Sequence, residues 1–283
     1  MTQGALVAVD TTDPIAFYRQ MTTCWENGDA VLPVDHRLSR AGARALIDRF
    51  KPAYFIDQRR VIGLAGGVPV SPGIALVVAT SGTTGEPKGV ELTHANLAAS
   101  AYATARWLGT GPEDRWCCCL PLAHIAGIST LTRSIMADAE PEFTTFGVDE
   151  ILRTKATCIS LVATMLARLI EAEVDLTRFR VILVGGGPTP RSLIEIAQRS
   201  GARVVATYGM TETTGGCVYD GNALPGVDIE IGAHGVIRLH GPMVMSGYRL
   251  DEMGTERSLQ DGWFETSDLG SLDSGKLTVL GRR

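Results

Sequence analysis

Residues 74–94 of the sequence read IALVVATSGTTGEPKGVELTH. The first six, Ile74–Ala79, form a short apolar run rich in Val, Leu and Ile, which predicts a strand buried on both faces. The segment that follows, Thr80–His94, contains three glycines, one lysine and four hydroxyl side chains among its first five positions. Glycines let the backbone approach an anion, and successive N–H groups form a concave nest for it. Ordinary surface loops share this composition, but the position after a buried strand predicts a phosphate-binding loop.

The spacing of this loop differs from that of a Walker A motif. That motif requires G-x-x-x-x-G-K-[ST]. Counting from Gly82 places Pro87 where the second glycine should stand, and Gly89 follows Lys88 where Ser or Thr is required. The next residues, 90–93, have an extended rather than a helical pattern. The sequence therefore argues against a P-loop kinase or GTPase.

The composition of the whole chain limits the classes of partner. The chain has 283 residues, a formal net charge of −5 and 45% hydrophobic residues, enough for a core in one large domain or two unequal lobes. The slight acidity gives no reason to expect nucleic acid or an anionic membrane surface as a partner. No apolar run approaches the roughly 20 residues needed to cross a bilayer. The first residues lack the features of a signal peptide, which favours a cytoplasmic location.

The cysteines predict no metal site. Six are present, and three of them are consecutive at Cys117–Cys119. Neighbouring residues of a strand point to opposite faces, so these three cannot share one metal ion. We predict buried, reduced thiols.

Strand-like and helix-like segments alternate up to about residue 225. Residues 12–26 and 39–50 have the apolar spacing of helices, with Thr12 and Ser39 as candidate N-caps. This alternation is typical of parallel sheets with helices on their faces. From residue 226 the pattern changes to short strands and turns. We therefore predict paired αβ subdomains over residues 1–225 and a small β-rich subdomain over residues 226–283, in which residues 227–249 show short strands and turns without helices.

Two further segments follow predicted strands. They are Gly185–Pro188 (GGGP), after RVILV, and Thr207–Thr213 (TYGMTET), after RVVAT. Glycines at the carboxyl end of a strand let a flat ring or a phosphate approach the backbone, although a tight turn has the same composition. Glu212 in the second segment is a candidate Mg²⁺ ligand, because Mg²⁺ prefers one or two carboxylates together with phosphate oxygens. A solvated loop glutamate is the alternative.

Two single residues have both a functional and a structural interpretation. Asp268, in DGWFETSDLG, is predicted to lie in a turn, where it could accept hydrogen bonds from a pair of sugar hydroxyls. A surface aspartate is the alternative. His124, in PLAHIAG, follows a strand on an apolar segment, where a core histidine is commoner than a catalyst.

Five segments, taken in order, resemble the signature motifs of the acyl-adenylate-forming enzymes. They are TSGTTGEPKG, GGGP, YGMTET, DGWFETSDLG and LGRR. This resemblance implies an α/β fold of two αβ subdomains with mostly parallel sheets, a small β-barrel subdomain and a mobile C-terminal domain. Because the sequence ends at LGRR, we expect the chain to be the large N-terminal domain of a longer ligase and to be weakly active alone. The commoner TGD is replaced by TSD before Asp268.

A narrower resemblance concerns the acid substrate. PLAHIAG, SLVATMLARLI, VGGGPTPRSL and YGMTETTGGCVYDG are similar to the o-succinylbenzoate–CoA ligases of menaquinone biosynthesis in their compact actinobacterial form. The resemblance implies adenylation of o-succinylbenzoate by ATP with Mg²⁺, followed by transfer of the acyl group to coenzyme A. A homodimer is a separate prediction. Two alternatives remain at this point: a ligase for another aryl or fatty acid, and a nucleotide-binding module without catalysis.

The resemblance also implies roles for individual residues, with Lys88, Thr211, Glu212 and His124 taking part directly in catalysis. Arg133 would pair with the second carboxylate of the acid, although a surface arginine on a helix is the alternative. The implied contacts are Ser81, Thr83, Thr84, Gly85 and Lys88 with the ATP phosphates; Gly185, Gly186, Gly187, Pro188 and Tyr208 with adenine; Thr211 with the α-phosphate; Glu212 with Mg²⁺; Asp268 and Arg282 with the ribose; His124 with the mouth of the acyl pocket; and Arg133, Ser160 and Gly209 with the acid.

Overall fold

The computed structural model of the protein describes residues 3–58, 60–81 and 86–283, with Ser81 described by its backbone alone. These residues form eight α-helices and nineteen β-strands. The helices are α1 (Pro14–Glu26), α2 (Arg40–Phe50), α3 (His94–Leu108), α4 (Ile125–Met136), α5 (Val148–Arg153), α6 (Ala163–Glu171), α7 (Arg191–Arg199) and α8 (Glu252–Ser258). The strands are β1 (Leu6–Asp10), β2 (Ala30–Val34), β3 (Tyr54–Asp57), β4 (Arg60–Gly63), β5 (Ile74–Ser81), β6 (Pro87–Thr93), β7 (Trp116–Cys118), β8 (Glu142–Phe143), β9 (Cys158–Leu161), β10 (Val181–Val184), β11 (Val204–Met210), β12 (Gly215–Tyr219), β13 (Asn222–Ala223), β14 (Asp228–Ile231), β15 (Val236–His240), β16 (Gly247–Tyr248), β17 (Leu259–Gln260), β18 (Trp263–Asp273) and β19 (Lys276–Arg282).

The strands form three sheets. The first has the order β16-β6-β5-β2-β1-β3-β4, and the second has the order β13-β12-β11-β10-β9-β7-β8. The third has the order β14-β15-β18-β17, with β19 paired to β18. The predicted α/β class, with two αβ sheets and a smaller β sheet, is therefore confirmed.

The first two sheets are mixed, whereas the sequence predicted mostly parallel sheets. In the first, β1 pairs in parallel with β2 and β3, and β2 with β5, but β4, β6 and β16 join through antiparallel pairs. In the second, the parallel pairs are β8 with β7, β7 with β9, β9 with β10 and β10 with β11, while β12 and β13 join through antiparallel pairs. The connections β5–β6 and β11–β12 are too short for the crossover that a parallel pair requires.

The first sheet is buried on both faces because consecutive helices cover opposite sides of it. Phe17 of α1 packs in one core cluster with Val7 and Val9 of β1. Phe50 of α2 packs in another cluster with Leu6 from the same strand. Alternate residues of β1 thus point to opposite faces, as the pleat of a strand requires. Since β1, β2 and β5 are parallel, the loop that follows β5 begins at the carboxyl edge of this sheet.

The N-cap of α1 differs from the prediction. The helix begins at Pro14, and the side chain of Asp13 accepts hydrogen bonds from the N–H groups of Ile15 and Ala16 at 2.9 and 3.1 Å. Thr12 is therefore not the cap, because proline is well suited to the first helical position and its predecessor becomes the capping residue. The second predicted cap is confirmed, since Ser39 Oγ accepts from the N–H of Gly42 at 3.1 Å.

This difference predicts unequal effects of two adjacent substitutions. Asp13→Ala is expected to lower the free energy of unfolding by about 1 kcal/mol, because it leaves two N–H groups of the first turn without an acceptor. Thr12→Ala is expected to change it by less than about 0.5 kcal/mol, as is usual for exposed positions. Urea denaturation of both variants measures the difference. Equal effects, or a larger effect at Thr12, would contradict the assignment of the cap.

Residues 226–283 are not purely β-structure. They contain α8, whose N-cap Asp251 accepts from the N–H of Gly254 at 2.9 Å; this helix lies after residues 227–249, the stretch for which no helix was predicted. They also contain β16, in which Tyr248 pairs with Val90 of the first sheet. The third sheet begins at Asp228. The domain boundary at residue 225 stays a prediction, because the segment that follows it contributes to two sheets.

All six cysteines are free and buried, as predicted. Cys118 belongs to the core cluster of the first sheet, whereas Cys117 and Cys119 belong to that of the second. The alternation of faces along β7 explains this division. Across the three described ranges, the helices are all too short or too polar to span a membrane.

Candidate functional site

A carboxylate from the third sheet meets a tyrosine from the second. Asp268 Oδ2 accepts from the hydroxyl of Tyr208 at 3.0 Å, and its Oδ1 accepts from Nε of Arg282 at 3.2 Å. Asp268 is 8% exposed and lies within β18, directly opposite Arg282 of β19. The predictions of a turn and of a surface aspartate at this position are therefore wrong. Burial and the nearby Asp268 raise the pKa of Tyr208, so its hydroxyl remains a donor.

The glycine segment lies beside this tyrosine. It follows β10, which runs parallel to β11, and the N–H of Gly185 donates to the carbonyl of Leu161 at 3.1 Å. A Cβ at Gly185 would lie 2.1 Å from Thr207 Oγ1, so no larger residue fits against β11. Gly186 has a φ of +79°, which favours glycine. Gly187 and Pro188 are exposed, and a Cβ at Gly187 would meet open space. The segment can accept a flat ring beside Tyr208.

Lys88 and Glu212 lie on either side of a second tyrosine. Lys88 Nζ is 4.3 Å from the centroid of the Tyr248 ring, and the Tyr248 hydroxyl donates to Glu212 Oε1 at 3.0 Å. Lys88 lies on β6, and Glu212 lies in a short 3₁₀ turn, Thr211–Thr213, directly after β11. Burial, and secondarily Glu212, raise the pKa of Tyr248. The predicted phosphate and Mg²⁺ residues therefore meet around one protonated phenol.

Part of the predicted phosphate loop lies outside the described residues. Thr83, Thr84 and Gly85 are not described, nor is the side chain of Ser81. The strands that flank them are described. β5 and β6 form an antiparallel pair in which Ser81 is opposite Pro87, so the loop connects two adjacent strands next to Lys88.

Arg133 lies in the last turn of α4 and is directed at the second sheet. Its Nη1 donates to Ser160 Oγ of β9 at 3.1 Å, and its guanidinium carbon is 4.5 Å from the centroid of the Trp116 ring. The residue is half-buried, and burial lowers the pKa of the guanidinium. No carboxylate of the described residues forms an ion pair with it. The alternative of a solvated surface arginine is wrong.

This arginine has unused hydrogen-bonding capacity. A guanidinium has five N–H donors, and one side-chain hydrogen bond satisfies only one of them. Arginine stays charged at any ordinary pH. A half-buried cation without an anionic partner is a good site for the carboxylate of a ligand.

Ser160, Gly185 and Tyr208 lie at the carboxyl ends of three adjacent parallel strands, β9, β10 and β11. Ser160 is in register with Val205 through Leu183, so Tyr208 lies two strand spacings across the sheet and three residues further along β11. At about 4.8 Å per spacing and about 3.3 Å per residue, the Ser160 and Tyr208 positions are separated by about 14 Å. One elongated ligand could therefore reach from the arginine to the glycine segment.

Two other predicted site residues lie near these groups. His124 is the N-cap residue of α4 and is exposed, with no hydrogen bond from its side chain to the helix, so the core alternative is wrong. Gly209 follows Tyr208 at an irregularity in the pairing of β11 with β12. A Cβ there would lie 2.0 Å from the carbonyl oxygen of Gly215. Only glycine fits between these strands.

Sequence reasoning missed two residues of the site, Tyr248 and Trp116. Tyr248 lies 36 positions from Glu212 in the chain, and its short strand β16 is brought to β6 only by the fold. Trp116 begins a short apolar strand next to three cysteines, where a core role is the natural interpretation. Each aromatic residue is far along the chain from the cation that it contacts, so the sequence has no local signal that pairs Tyr248 with Lys88 or Trp116 with Arg133.

The donor set around Glu212 fits Mg²⁺ better than a transition metal. Among the described residues, no group of three or more His, Cys, Asp or Glu side chains could hold a metal ion. Mg²⁺ is commonly bound by one or two protein carboxylates, water and substrate phosphate oxygens. Glu212, with one oxygen hydrogen-bonded to Tyr248, can supply such a carboxylate.

The sequence profile of a family described as "AMP-binding enzyme" matches residues 66–249, which is more than half of the chain. The chain belongs to the AMP-binding enzyme family. The matched range contains most members of the site, from Lys88 to Tyr248, but excludes Asp268 and Arg282.

One ligase sequence and two ligase structures illustrate what this chain is similar to. It is 44% identical over 232 residues to a probable 2-succinylbenzoate–CoA ligase from Mycobacterium tuberculosis, a match that covers 76% of this chain and 60% of the relative. The chain therefore spans only about three fifths of that relative's length. It also matches two structures of o-succinylbenzoate CoA synthetase from Bacillus subtilis. The structure with the acyl-adenylate intermediate has a TM-score of 0.89 and 30% identity, covering 100% of this chain and 88% of the other. The structure with ATP and a magnesium ion has a TM-score of 0.87 and 30% identity, covering 100% and 70%.

Proposed function

We propose that this chain binds the nucleotide and the acid in an ATP-dependent o-succinylbenzoate–CoA ligase of menaquinone biosynthesis. The observation that carries the proposal is Arg133, a half-buried cation with no carboxylate partner among the described residues. The relative from Mycobacterium tuberculosis is named as a probable ligase of this acid, and one of the Bacillus subtilis structures contains its acyl-adenylate. o-Succinylbenzoate has two carboxylates, one of which must be activated while the other is recognised.

At the acid end, Arg133 binds the carboxylate that does not react. Ser160 accepts one N–H of the guanidinium, and Trp116 supports its face, so the remaining N–H groups are oriented for bidentate recognition. Gly209 gives the acid close access to the backbone, and exposed His124 lies at the mouth of the pocket. A simple fatty acid would leave the guanidinium without a partner.

At the nucleotide end, the ribose hydroxyls donate to Asp268, which Tyr208 and Arg282 hold in place. The adenine lies against Gly185–Pro188 beside Tyr208. Lys88, together with Ser81, Thr83, Thr84 and Gly85, contacts the β- and γ-phosphates, and Thr211 contacts the α-phosphate. When bound at Glu212, Mg²⁺ supplies charge neutralisation for the phosphates.

The reaction consists of two displacements. The succinyl carboxylate of the acid attacks the α-phosphorus of ATP, the bond to the bridging oxygen of pyrophosphate breaks, and an acyl-adenylate forms. The thiolate of coenzyme A then attacks the activated carbonyl, and AMP leaves. The chain contributes orientation and positive charge at the phosphates through Lys88 and backbone N–H groups. No thiol of the protein takes part, which agrees with the burial of all six cysteines.

We also infer a cytoplasmic location, because free buried thiols are typical of reducing compartments. A homodimer stays a prediction.

Calorimetric titration with adenylate mimics tests the proposal. The chain is titrated with a non-hydrolysable o-succinylbenzoyl-adenylate mimic and with benzoyl and fatty-acyl counterparts. We expect the o-succinylbenzoyl compound to bind about 30- to 100-fold more tightly than the others, because a hydrogen-bonded charge contributes about 2–3 kcal/mol. Equal affinities would refute the assignment of the acid while preserving nucleotide binding. Failure of all three to bind would refute the nucleotide site as well.

The nucleotide end is tested separately by Asp268→Asn. This substitution is expected to lower the affinity for AMP about 10- to 100-fold, because the ribose hydroxyls lose a charged acceptor and Arg282 loses its partner. The matched control is Asp273→Asn, an exposed residue on the same strand. Calorimetry measures the affinity, and a melting curve checks the fold. Unchanged AMP binding by Asp268→Asn would exclude this residue from ribose recognition.

A further inference from the structure

Tyr248 links two charged side chains that belong to different sheets. The residue is 7% exposed, the face of its ring lies under Lys88 Nζ at 4.3 Å, and its hydroxyl donates to Glu212 at 3.0 Å. Lys88 is carried by the first sheet, whereas Glu212 follows β11 of the second. One side chain thus contacts a cation with its face and an anion with its edge.

The two charges form no ion pair within residues 3–58, 60–81 and 86–283, either with each other or with a third side chain. Opposite charges a few ångströms apart at a partly desolvated site attract strongly. The tyrosine gives each charge a separate partner. An aromatic face attracts the ammonium, and a phenolic O–H donates to the carboxylate. Neither interaction neutralises the charge that it contacts.

The position of the tyrosine is fixed on both sides. Its own N–H donates to Thr255 Oγ1 at 2.8 Å, and the neighbouring N–H of Arg249 donates to the carbonyl of Gly89 at 2.7 Å. The N–H of Met245 donates to the carbonyl of Glu212 at 2.8 Å. The segment is therefore attached both to the strand that carries Lys88 and to the turn that carries Glu212. These bonds fix the backbone at Tyr248, while burial and the hydroxyl hydrogen bond to Glu212 hold the ring between the two charges.

We propose that Tyr248 is a positioning residue that keeps Lys88 and Glu212 apart, so that the lysine stays available to nucleotide phosphates and the glutamate to Mg²⁺. The inference rests on the proposed function, because it assigns the two charged residues to the phosphates and the metal. The inference has a specific consequence. Without the ring, Lys88 and Glu212 form an ion pair, and the lysine no longer binds the nucleotide phosphates.

Three variants test the proposal by calorimetric titration of the full chain with ATP in the presence of EDTA. Tyr248→Leu is expected to lower the affinity for metal-free ATP about tenfold, because Glu212 then forms an ion pair with Lys88 and competes with the phosphates. The double variant Tyr248→Leu with Glu212→Gln removes the competing charge, and its affinity is expected to return to within about twofold of that of Glu212→Gln alone. AMP, which has no β- or γ-phosphate, is expected to bind all three variants equally. A purely structural role of the ring would not be rescued by Glu212→Gln.

Tyr248→Phe separates the two contacts and is the variant least disruptive to folding. It keeps the aromatic face under Lys88, so metal-free ATP should bind as in the parent chain. It removes the donor to Glu212, so the Mg²⁺ concentration that half-saturates the ATP complex should rise about tenfold, as is typical of residues that orient a metal ligand. Tyr102→Phe, an exposed tyrosine on α3, is the control and should change neither value.

The outcomes distinguish this inference from the proposed function. A parent chain that binds neither AMP nor ATP would refute the proposed function. A parent chain that binds both, with Tyr248 variants that bind ATP and Mg²⁺ as the parent does, would refute only the inference. A loss of ATP affinity in Tyr248→Leu that Glu212→Gln does not restore would also refute it.

Discussion

Arg133→Leu is expected to lower the affinity for the o-succinylbenzoyl-adenylate mimic about 100-fold, while leaving the affinity for the benzoyl mimic within about twofold. The loss corresponds to about 2.7 kcal/mol, the usual size of hydrogen bonds to a charged partner at a desolvated site. The benzoyl mimic has no second carboxylate, so it gains nothing from the guanidinium. Calorimetric titration of the two compounds measures both effects in one experiment.

The controls separate charge from geometry. Arg133→Lys keeps the positive charge but loses the planar donors that fit a carboxylate, so we expect an intermediate loss of about tenfold. Arg168→Leu removes an exposed arginine from α6 and should change neither affinity. An equal loss for both mimics in Arg133→Leu would mean that the arginine supports the pocket rather than recognising the acid. No loss for either would remove Arg133 from the site.

Arg249→Leu is expected to lower the free energy of unfolding by about 3–5 kcal/mol, the effect of breaking a buried charge network by removing one partner. Arg249 is 4% exposed and directly follows β16. Its Nε donates to the carbonyl of Phe50 at 3.2 Å, and its Nη1 donates to the carbonyl of Pro69 at 2.8 Å. It also donates to the carbonyl of Val68 and lies 3.5 Å from Glu91. The substitution leaves all four acceptors without this donor.

The stability loss should depend on pH. Burial raises the pKa of Glu91 even with Arg249 beside it, and removal of the arginine raises this pKa further. A carboxyl group whose folded-state pKa is above its unfolded value favours the folded state when protonated and loses that contribution as the pH rises through the folded-state pKa. The deficit of Arg249→Leu should therefore be larger at pH 7 than at pH 5. Urea denaturation at both values measures it.

Arg257→Leu, at an exposed position of α8, is the control for Arg249→Leu and should cost less than about 0.5 kcal/mol. The double variant with Glu91→Leu should recover part of the stability, because it removes the carboxylate that lost its partner. A deficit below about 1 kcal/mol for Arg249→Leu, or one that is equal at both pH values, would contradict the assigned network.

The local features of the fold were predictable because they depend on neighbours in the chain. The apolar run Ile74–Ala79 predicted a buried strand, and Ser39 predicted a helix cap, since both signals involve residues a few positions apart. The cap of α1 was misplaced by one residue because Thr12 and Asp13 are both good caps, and only Pro14 decides between them. The helix α8 was missed because it has seven residues and too little apolar periodicity to stand out.

The sequence named most residues of the candidate site, but it did not predict how they are arranged. Asp268 was expected in a turn because it follows the turn-like sequence DGW, yet β18 continues through it with Phe264, Thr266 and Asp268 buried in alternation. A buried carboxylate is favourable only with partners, and Tyr208 lies 60 positions away. No local pattern contains that partner.

By itself, the sequence determined the α/β class and the family, and it named most residues of the candidate site, because short motifs and local periodicity carry that information. The tertiary structure alone decided how these residues meet. It placed Tyr248 between Lys88 and Glu212, attached Arg249 to four acceptors distant in the chain, and left Arg133 half-buried beside Ser160 and Trp116. The physical reason is that burial and charge pairing depend on contacts between strands remote in sequence, and these contacts exist only once the sheets have formed.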